Sequence, residues 1–272
     1  MSAPGVSEQR VEILNNYGQK LVGMLHLTSS KNLVILCHGF RSTKDEKLLL
    51  NLIAALTREG VSSFHFDFAG NGESEGEFQY GNYRKEAEDL RAVVLYFLEQ
   101  TFNICAIIGH SKGGNVVLLY ASTHNDVPLI INLSGRFALE RGIEGRLGKA
   151  FMQRIKKDGF IDVKDKTGKF EYRVTEESLM DRLTTDMRAA CHAIDKKCRV
   201  MTIHGSADEI VPSEDAFEFD KVIPNHKLHI IEGADHCYTA WQAELASLVL
   251  DFIKSDQVLP FRIPRKTASS RI

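Results

Sequence analysis

The amino-acid sequence predicts an α/β fold, a mostly parallel central sheet covered by helices on both faces. Three observations point there. Short apolar runs alternate with segments of helical period along most of the chain. The inner runs are almost continuously apolar, as strands buried on both faces are. Glycines gather where those runs end, in "CHGF", "DFAGNG" and "IGHSKGG".

In chain order, "VEILNN" and "KLVGMLHL" alternate apolar and polar residues about Tyr17-Gly18 and read as a hairpin. "NLVILCHGF" follows as a doubly covered strand that ends abruptly at His38-Gly39. In "STKDEKLLLNLIAALTREG" the apolar Leu48, Ile53 and Leu56 share one side, Thr43 and Glu46 are spaced for a capping box, and Gly60 stops the helix. The cycle then repeats: strand "VSSFHFDF", glycine-rich loop "AGNGESEGEF", helix "NYRKEAEDLRAVVLYFLEQ", strand "NICAIIGH", helix "KGGNVVLLYAST" and strand "VPLIINLSG". After Arg136 the rhythm breaks. The stretch at about 137–190 is charged, with "GFIDVKDKTGKFEYRV" reading as a short hairpin between helical pieces, and alternation resumes with strand "CRVMTIHGSAD", helix "SEDAFEFDKVI", strand "HKLHIIEGADH" and helix "YTAWQAELASLVLDFIK". The organisation expected is one domain over residues 1–272, interrupted by an insertion at about 137–190.

Composition narrows the function classes. With 43% hydrophobic and 26% charged residues the 272-residue chain has ordinary globular usage, and a net charge of -2 gives no basic surface for nucleic acid. The five cysteines form no CxxC pair and no zinc-ligand spacing, and read as buried free thiols of a reducing compartment. His226 and His229, at odd spacing on a strand, point to opposite faces, so neither a metal nor a cofactor is expected. The N-terminus has no basic region followed by an apolar run, and the longest apolar runs fall well short of the ~20 residues of a membrane span. A cytoplasmic protein without membrane partners is expected, as a monomer or homodimer. The terminal Ser270-Arg271-Ile272 has the small-basic-aliphatic form of a peroxisomal address, so that location stays open beside a frayed basic tail.

Ser111 lies in Gly109-His110-Ser111-Lys112-Gly113, with an apolar run entering and a helical one leaving. That strand-turn-helix setting is what a nucleophile elbow requires; a serine capping the helix is the plainer alternative. A serine hydroxyl needs a base oriented by a carboxylate. His236 follows the last apolar strand, at the edge where such sheets deliver functional residues, whereas His204, His226 and His229 lie within or before strands. Asp208 follows the preceding strand in "GSADEIVP", where it serves either as that carboxylate or as a turn-forming residue. Asp235, next to His236, is poorly placed to reach its far nitrogen, and "SGRFA" offers no acid. Backbone N–H groups of Lys112 and of Phe40, in "CHGFRS", are the candidate oxyanion donors, with His38 a structural residue.

The order Ser111, Asp208, His236, with "HGF" upstream and "DFAGNGESEG" between, resembles the α/β-hydrolase superfamily over residues 10–255, and within it the serine carboxylesterases and serine-aminopeptidase-like hydrolases, including cinnamoyl or feruloyl esterases with a small cap. The resemblance implies a serine hydrolase that cleaves carboxylic esters of small or aromatic acids through an acyl-enzyme, with a small-molecule ester as partner. Amides and thioesters use the same apparatus, and a ligand receptor on the same fold is the alternative of a different class. Asp67 in the glycine-rich loop is expected to tie down the turn. Lys112 departs from the glutamine or methionine that related esterases often carry, so its side chain is expected at the pocket mouth. Over residues 136–173 eleven basic residues face six acidic ones, read as a charged lid or as a solvated surface. Phe137, Phe151, Phe160, Phe170 and Tyr172 are candidates for an apolar pocket.

Overall fold

The computed structural model describes residues 6–255; the terminal Ser270-Arg271-Ile272 lies outside the described residues. The chain opens with a hairpin, β1 (Ser7–Leu14) and β2 (Lys20–Leu27), followed by β3 (Asn32–Cys37), α1 (Lys47–Arg58), β4 (Ser62–Phe66), α2 (Tyr83–Glu99), β5 (Asn103–His110), α3 (Lys112–Thr123) and β6 (Leu129–Leu133). Residues 137–190 hold α4 (Glu144–Leu147), α5 (Phe151–Asp158), the hairpin β7 (Phe160–Lys164) and β8 (Phe170–Thr175), α6 (Glu176–Thr184) and the start of α7 (Met187–His192). The chain then completes the sheet with β9 (Arg199–Gly205), α8 (Glu214–Val222), β10 (His226–Ile231) and α9 (Gln242–Lys254).

The large sheet runs β1-β2-β4-β3-β5-β6-β9-β10. The hairpin is antiparallel and joins β4 antiparallel, while the strands from β4 to β10 pair in parallel. Alternation along β3 explains the two layers. Leu33, Ile35 and Cys37 join the core beneath α2 and α3, whereas Val34 and Leu36 face the opposite core with Leu52, Leu56 and Val249 from α1 and α9. Met187 and Cys191 of α7 belong to the first core, so the chain is back on the main body before β9 begins. A smaller cluster of Tyr80, Leu147, Ile155, Tyr172 and Leu179, with Phe40 and Phe78 against it, binds the inserted segment to the loops below.

Helix α1 starts later than its sequence pattern predicts, and the Thr43–Glu46 capping box does not form. Glu46 occupies the N-cap position with no capping bond because its carboxylate is turned toward the strand ends, as described below. Four of the five cysteines are buried, but Cys237 is exposed, on the loop after β10 rather than in the core. Among the described residues no helix is long and apolar enough to cross a membrane.

Asp67 is completely buried at the end of β4 and accepts from Lys44 N (2.6 Å), Lys44 Nζ (3.2 Å) and Glu73 N (3.0 Å). Gly72, at φ +51°, sits so close that a Cβ would lie 2.3 Å from the Asp67 carboxyl. Breaking a buried charge pair on one side strands the other, so Asp67→Ala is expected to lower stability by about 3 kcal/mol. Urea unfolding followed by circular dichroism, with a substantially lower midpoint at unchanged slope, checks this.

Candidate active site

Strand β5 runs directly into α3, and the one residue between them, Ser111, takes φ 54° and ψ -117°. Such a conformation costs a non-glycine residue about 1–3 kcal/mol and persists only where the surroundings enforce it. Here Ser111 N–H donates to Leu133 O of β6 at 2.7 Å, and the flanking glycines remove the bulk that would forbid the turn. A Cβ on Gly109 would lie 2.1 Å from Gly113 O, and one on Gly113 would lie 2.5 Å from His38 O. The glycines therefore relieve contacts with each other and with the end of β3, not with the serine itself.

Beside the turn lies the loop after β3. Gly39 approaches so closely that a Cβ there would be 3.2 Å from Ser111 Cβ. Neither Phe40 N–H nor Lys112 N–H has a hydrogen-bond partner among the described residues, which leaves both donors available. The Phe40 ring is fixed among aromatic neighbours, Phe78 at 5.5 Å, Tyr80 at 5.7 Å and Tyr172 at 5.8 Å, so the amide sits on a rigid support. His38, buried, donates from Nδ1 to Gly39 O (2.8 Å) and accepts Phe68 N–H at Nε2 (3.1 Å), and so ties the ends of β3 and β4 together.

Asp208 and His236 come from the loops after the neighbouring strands β9 and β10. His236 Nδ1 donates to Asp208 Oδ2 at 2.7 Å, which leaves its Nε2 as the basic nitrogen. Asp208 makes contacts of both kinds: Oδ1 accepts Ile210 N–H and Val211 N–H at 2.8 Å each, fixing the turn, while Oδ2 accepts from His236 Nδ1. Buried His204 adds a second imidazole, its Nε2 2.9 Å from Val211 O and 3.2 Å from Asp208 Oδ2. Burial would raise the Asp208 carboxyl, but His204, His236 and the Val211 amide together hold it well below the usual carboxylate range. Burial likewise lowers His236, against the pull of Asp208 and with help from His110. Among the described residues Ser111 Oγ has no hydrogen-bond partner; such contacts often tighten only with substrate in place. Asp235 is exposed and accepts Thr239 N–H at 2.7 Å, with no contact to His236 Nδ1.

Two buried acid–base contacts flank the elbow, and sequence reasoning missed both. Glu46 Oε2 accepts from Gly39 N–H (3.2 Å) and Ser42 Oγ (3.0 Å), while Oε1 lies against His110 Nδ1. His110 in turn donates from Nε2 to His236 O at 3.0 Å. One carboxylate thus links the loop after β3, the turn at Ser111 and, through His110, the His236 loop. Burial favours the neutral Glu46 acid, but His110, the Gly39 amide and Ser42 hold it down at about 2; burial disfavours charged His110, yet Glu46 raises it. The second contact is that of Lys112, which lines the cavity beside Ser111: its side chain is buried and donates from Nζ to Glu86 Oε1 at 2.6 Å, 5.1 Å over the Tyr83 ring. Burial pushes the Glu86 carboxyl up to about 7 in spite of Lys112. Histidine and carboxylate content alone could not reveal these pairs, since the partners are far apart in sequence.

A cavity of about 280 Å³ opens beside Ser111, lined among others by Phe40, Tyr83, Arg136, Arg146, Arg182 and Val211. None of the five aromatic candidates from the inserted segment lines it. Phe137 packs on Phe219 at 5.1 Å, Tyr172 joins the cluster under Phe40, and Phe160 and Phe170 are exposed.

Residues 28–188 match the family described as serine aminopeptidase, S33. The match includes Ser111 and ends before Asp208 and His236. Among solved structures, Est1E from Butyrivibrio proteoclasticus with ferulic acid bound is 25% identical at a TM-score of 0.80, over 92% of this chain and 100% of that one. The Pyrococcus furiosus esterase Pf2001 is 23% identical at 0.70, over 92% and 90%. An uncharacterized Saccharomyces cerevisiae protein is 25% identical over 235 residues, 78% of this chain and 70% of the relative. The fold is that of the α/β hydrolases.

The electrostatics give a signed expectation. A base must be neutral, so activity is expected to fall as pH drops through the His236 pKa, below the ordinary 6.5. In Glu46→Gln, His110 loses the partner that raises its pKa; its repulsion of protonated His236 weakens, the His236 pKa rises, and the acid limb of a kcat/KM profile moves to higher pH. An unmoved limb contradicts this coupling.

Proposed function

Because this chain belongs to the serine aminopeptidase S33 family of hydrolases, we propose that it is a serine hydrolase that cleaves carboxylic esters of small or aromatic acids through an acyl-enzyme. The observation that carries the reading is the 2.7 Å bond between His236 Nδ1 and Asp208 Oδ2, on adjacent strand-end loops beside the strained Ser111 turn. Ser111 Oγ attacks the ester carbonyl and passes its proton to His236 Nε2. Asp208 steadies the imidazolium without taking the proton. The carbonyl oxygen, now an anion, accepts from the Phe40 and Lys112 amides. Collapse of the tetrahedral intermediate expels the alcohol, which leaves with the proton from His236. Water then enters, gives its proton to His236, attacks the acyl-Ser111 carbonyl, and releases the acid as Ser111 is reprotonated.

Aromatic acids are supported by Est1E, whose structure holds ferulic acid. The family description favours a second reading, amide cleavage by the same residues, which para-nitroanilide analogues separate from para-nitrophenyl esters.

A fluorophosphonate probe is expected to label Ser111, with a pre-steady-state burst on a short-chain aryl ester. Ser111→Ala is expected to abolish labelling and lower kcat by about 10⁴-fold or more. An intact protein that neither labels nor turns over overturns the esterase reading and favours the ligand receptor.

A further inference from the structure

The cavity beside Ser111 carries an excess of positive charge. Arg136 follows β6, Arg146 lies on α4 and Arg182 on α6, and all three line the cavity. Lys112 lines it too but is paired with Glu86, and Glu209 is the acidic residue of the wall. Among the described residues none of the three arginines forms an ion pair with a carboxylate; Asp215 acts on Arg136 from a distance and contacts Arg141 instead.

Neutral groups hold these guanidiniums in place. Buried Arg182 donates from Nε to Leu139 O (2.8 Å) and from Nη2 to Arg141 O (2.9 Å), and sits 5.2 Å from the Tyr80 ring. Arg136 donates from Nη2 to Ile210 O at 2.5 Å, and Arg146 lies 4.6 Å over the Phe40 ring. A guanidinium has five N–H donors, so Arg182 and Arg136 keep most of theirs free. Carbonyls and ring faces orient a cation without cancelling its charge. The crowding is felt: burial depresses Arg136 first, and Arg182 and Arg146 depress it further, with Asp215 opposing. An anion among the three relieves that repulsion and accepts bidentate bonds.

We propose that this cavity is an anion subsite for the ester substrate, which carries a free carboxylate or phosphate-like group a few bonds from the scissile carbonyl. The volume, about 280 Å³, lies just below the range of ~300–1,000 Å³ usual for ligand pockets, and suits a short acyl chain with a charged end. The inference rests on the esterase reading for its chemistry and on Arg136, Arg146 and Arg182 for its selectivity.

The test compares para-nitrophenyl hemiglutarate and its phosphonobutyrate counterpart with neutral para-nitrophenyl valerate, after fluorophosphonate labelling has established that Ser111 is reactive. The charged esters are expected to have kcat/KM about tenfold to a hundredfold higher, chiefly through KM, with the advantage shrinking in high salt. The ratio between the charged esters tells whether carboxylate or phosphonate is preferred. Arg146→Gln and Arg136→Gln are expected to cut the charged-to-neutral ratio about tenfold each, with Arg146→Lys restoring part of it. Equal turnover of charged and neutral esters, or a ratio the variants leave unchanged, overturns the subsite. Should labelling and turnover both fail, the esterase reading falls alone, and calorimetric titration with glutarate decides: binding weakened by Arg146→Gln supports the subsite, and no binding overturns it.

Discussion

Holding Ser111 at φ 54° between β5 and α3 is the constraint on which the rest of the site depends. The turn needs glycine at 109 and 113, because each would otherwise drive a Cβ into a backbone carbonyl. It needs β6 alongside to take the Ser111 N–H, and β3 close enough that its terminal carbonyls touch Gly113. Strain of about 1–3 kcal/mol is sustained only by neighbours packed on every side, and the two cores above and below the sheet provide that packing. The same closeness of β3 to β5 brings the Gly39-Phe40 amides beside the serine.

Around that turn, charge is managed by pairing rather than by exposure. Glu46 sits between Gly39, Ser42 and His110, Asp208 between two histidines and two amides, and Glu86 against Lys112. Each carboxylate joins segments that the chain does not join. Their value is in fixing relative position: buried ion pairs gain little net stability over apolar packing, but they admit few alternative geometries. The His110 bond to His236 O makes the elbow and the His236 loop one connected unit.

The inserted segment follows a different logic. Its basic residues are mostly ordinary surface, as with Arg173 paired to Asp162, yet Arg146 and Arg182 line the cavity together with Arg136, which follows β6. Aromatic side chains fasten the segment to the body through Phe40 and Tyr172, while arginines dress the cavity. In this segment the rings Phe137 and Tyr172 serve packing, while the guanidiniums of Arg146 and Arg182 line the cavity.

Much of this was legible in the chain itself, because periodicity, strand ends and chain order are local properties. Alternation marked the strands from β3 to β10, glycines marked their exits, and those exits already singled out Ser111, Asp208, His236 and the Phe40 loop. What local pattern misreads is a side chain with a distant partner. The spacing of Thr43 and Glu46 suits a capping box, but Glu46 finds Gly39 and His110 instead. Lys112 gives no local sign of its buried partner until α2 brings Glu86 to it. Which of many basic residues face the cavity depended likewise on how α4 and α6 fold over the sheet. The sequence by itself determined the layered architecture and the strand ends that carry reactive groups. Tertiary structure alone decided which charges meet, since such contacts join residues tens of positions apart and depend on distances that no local periodicity encodes.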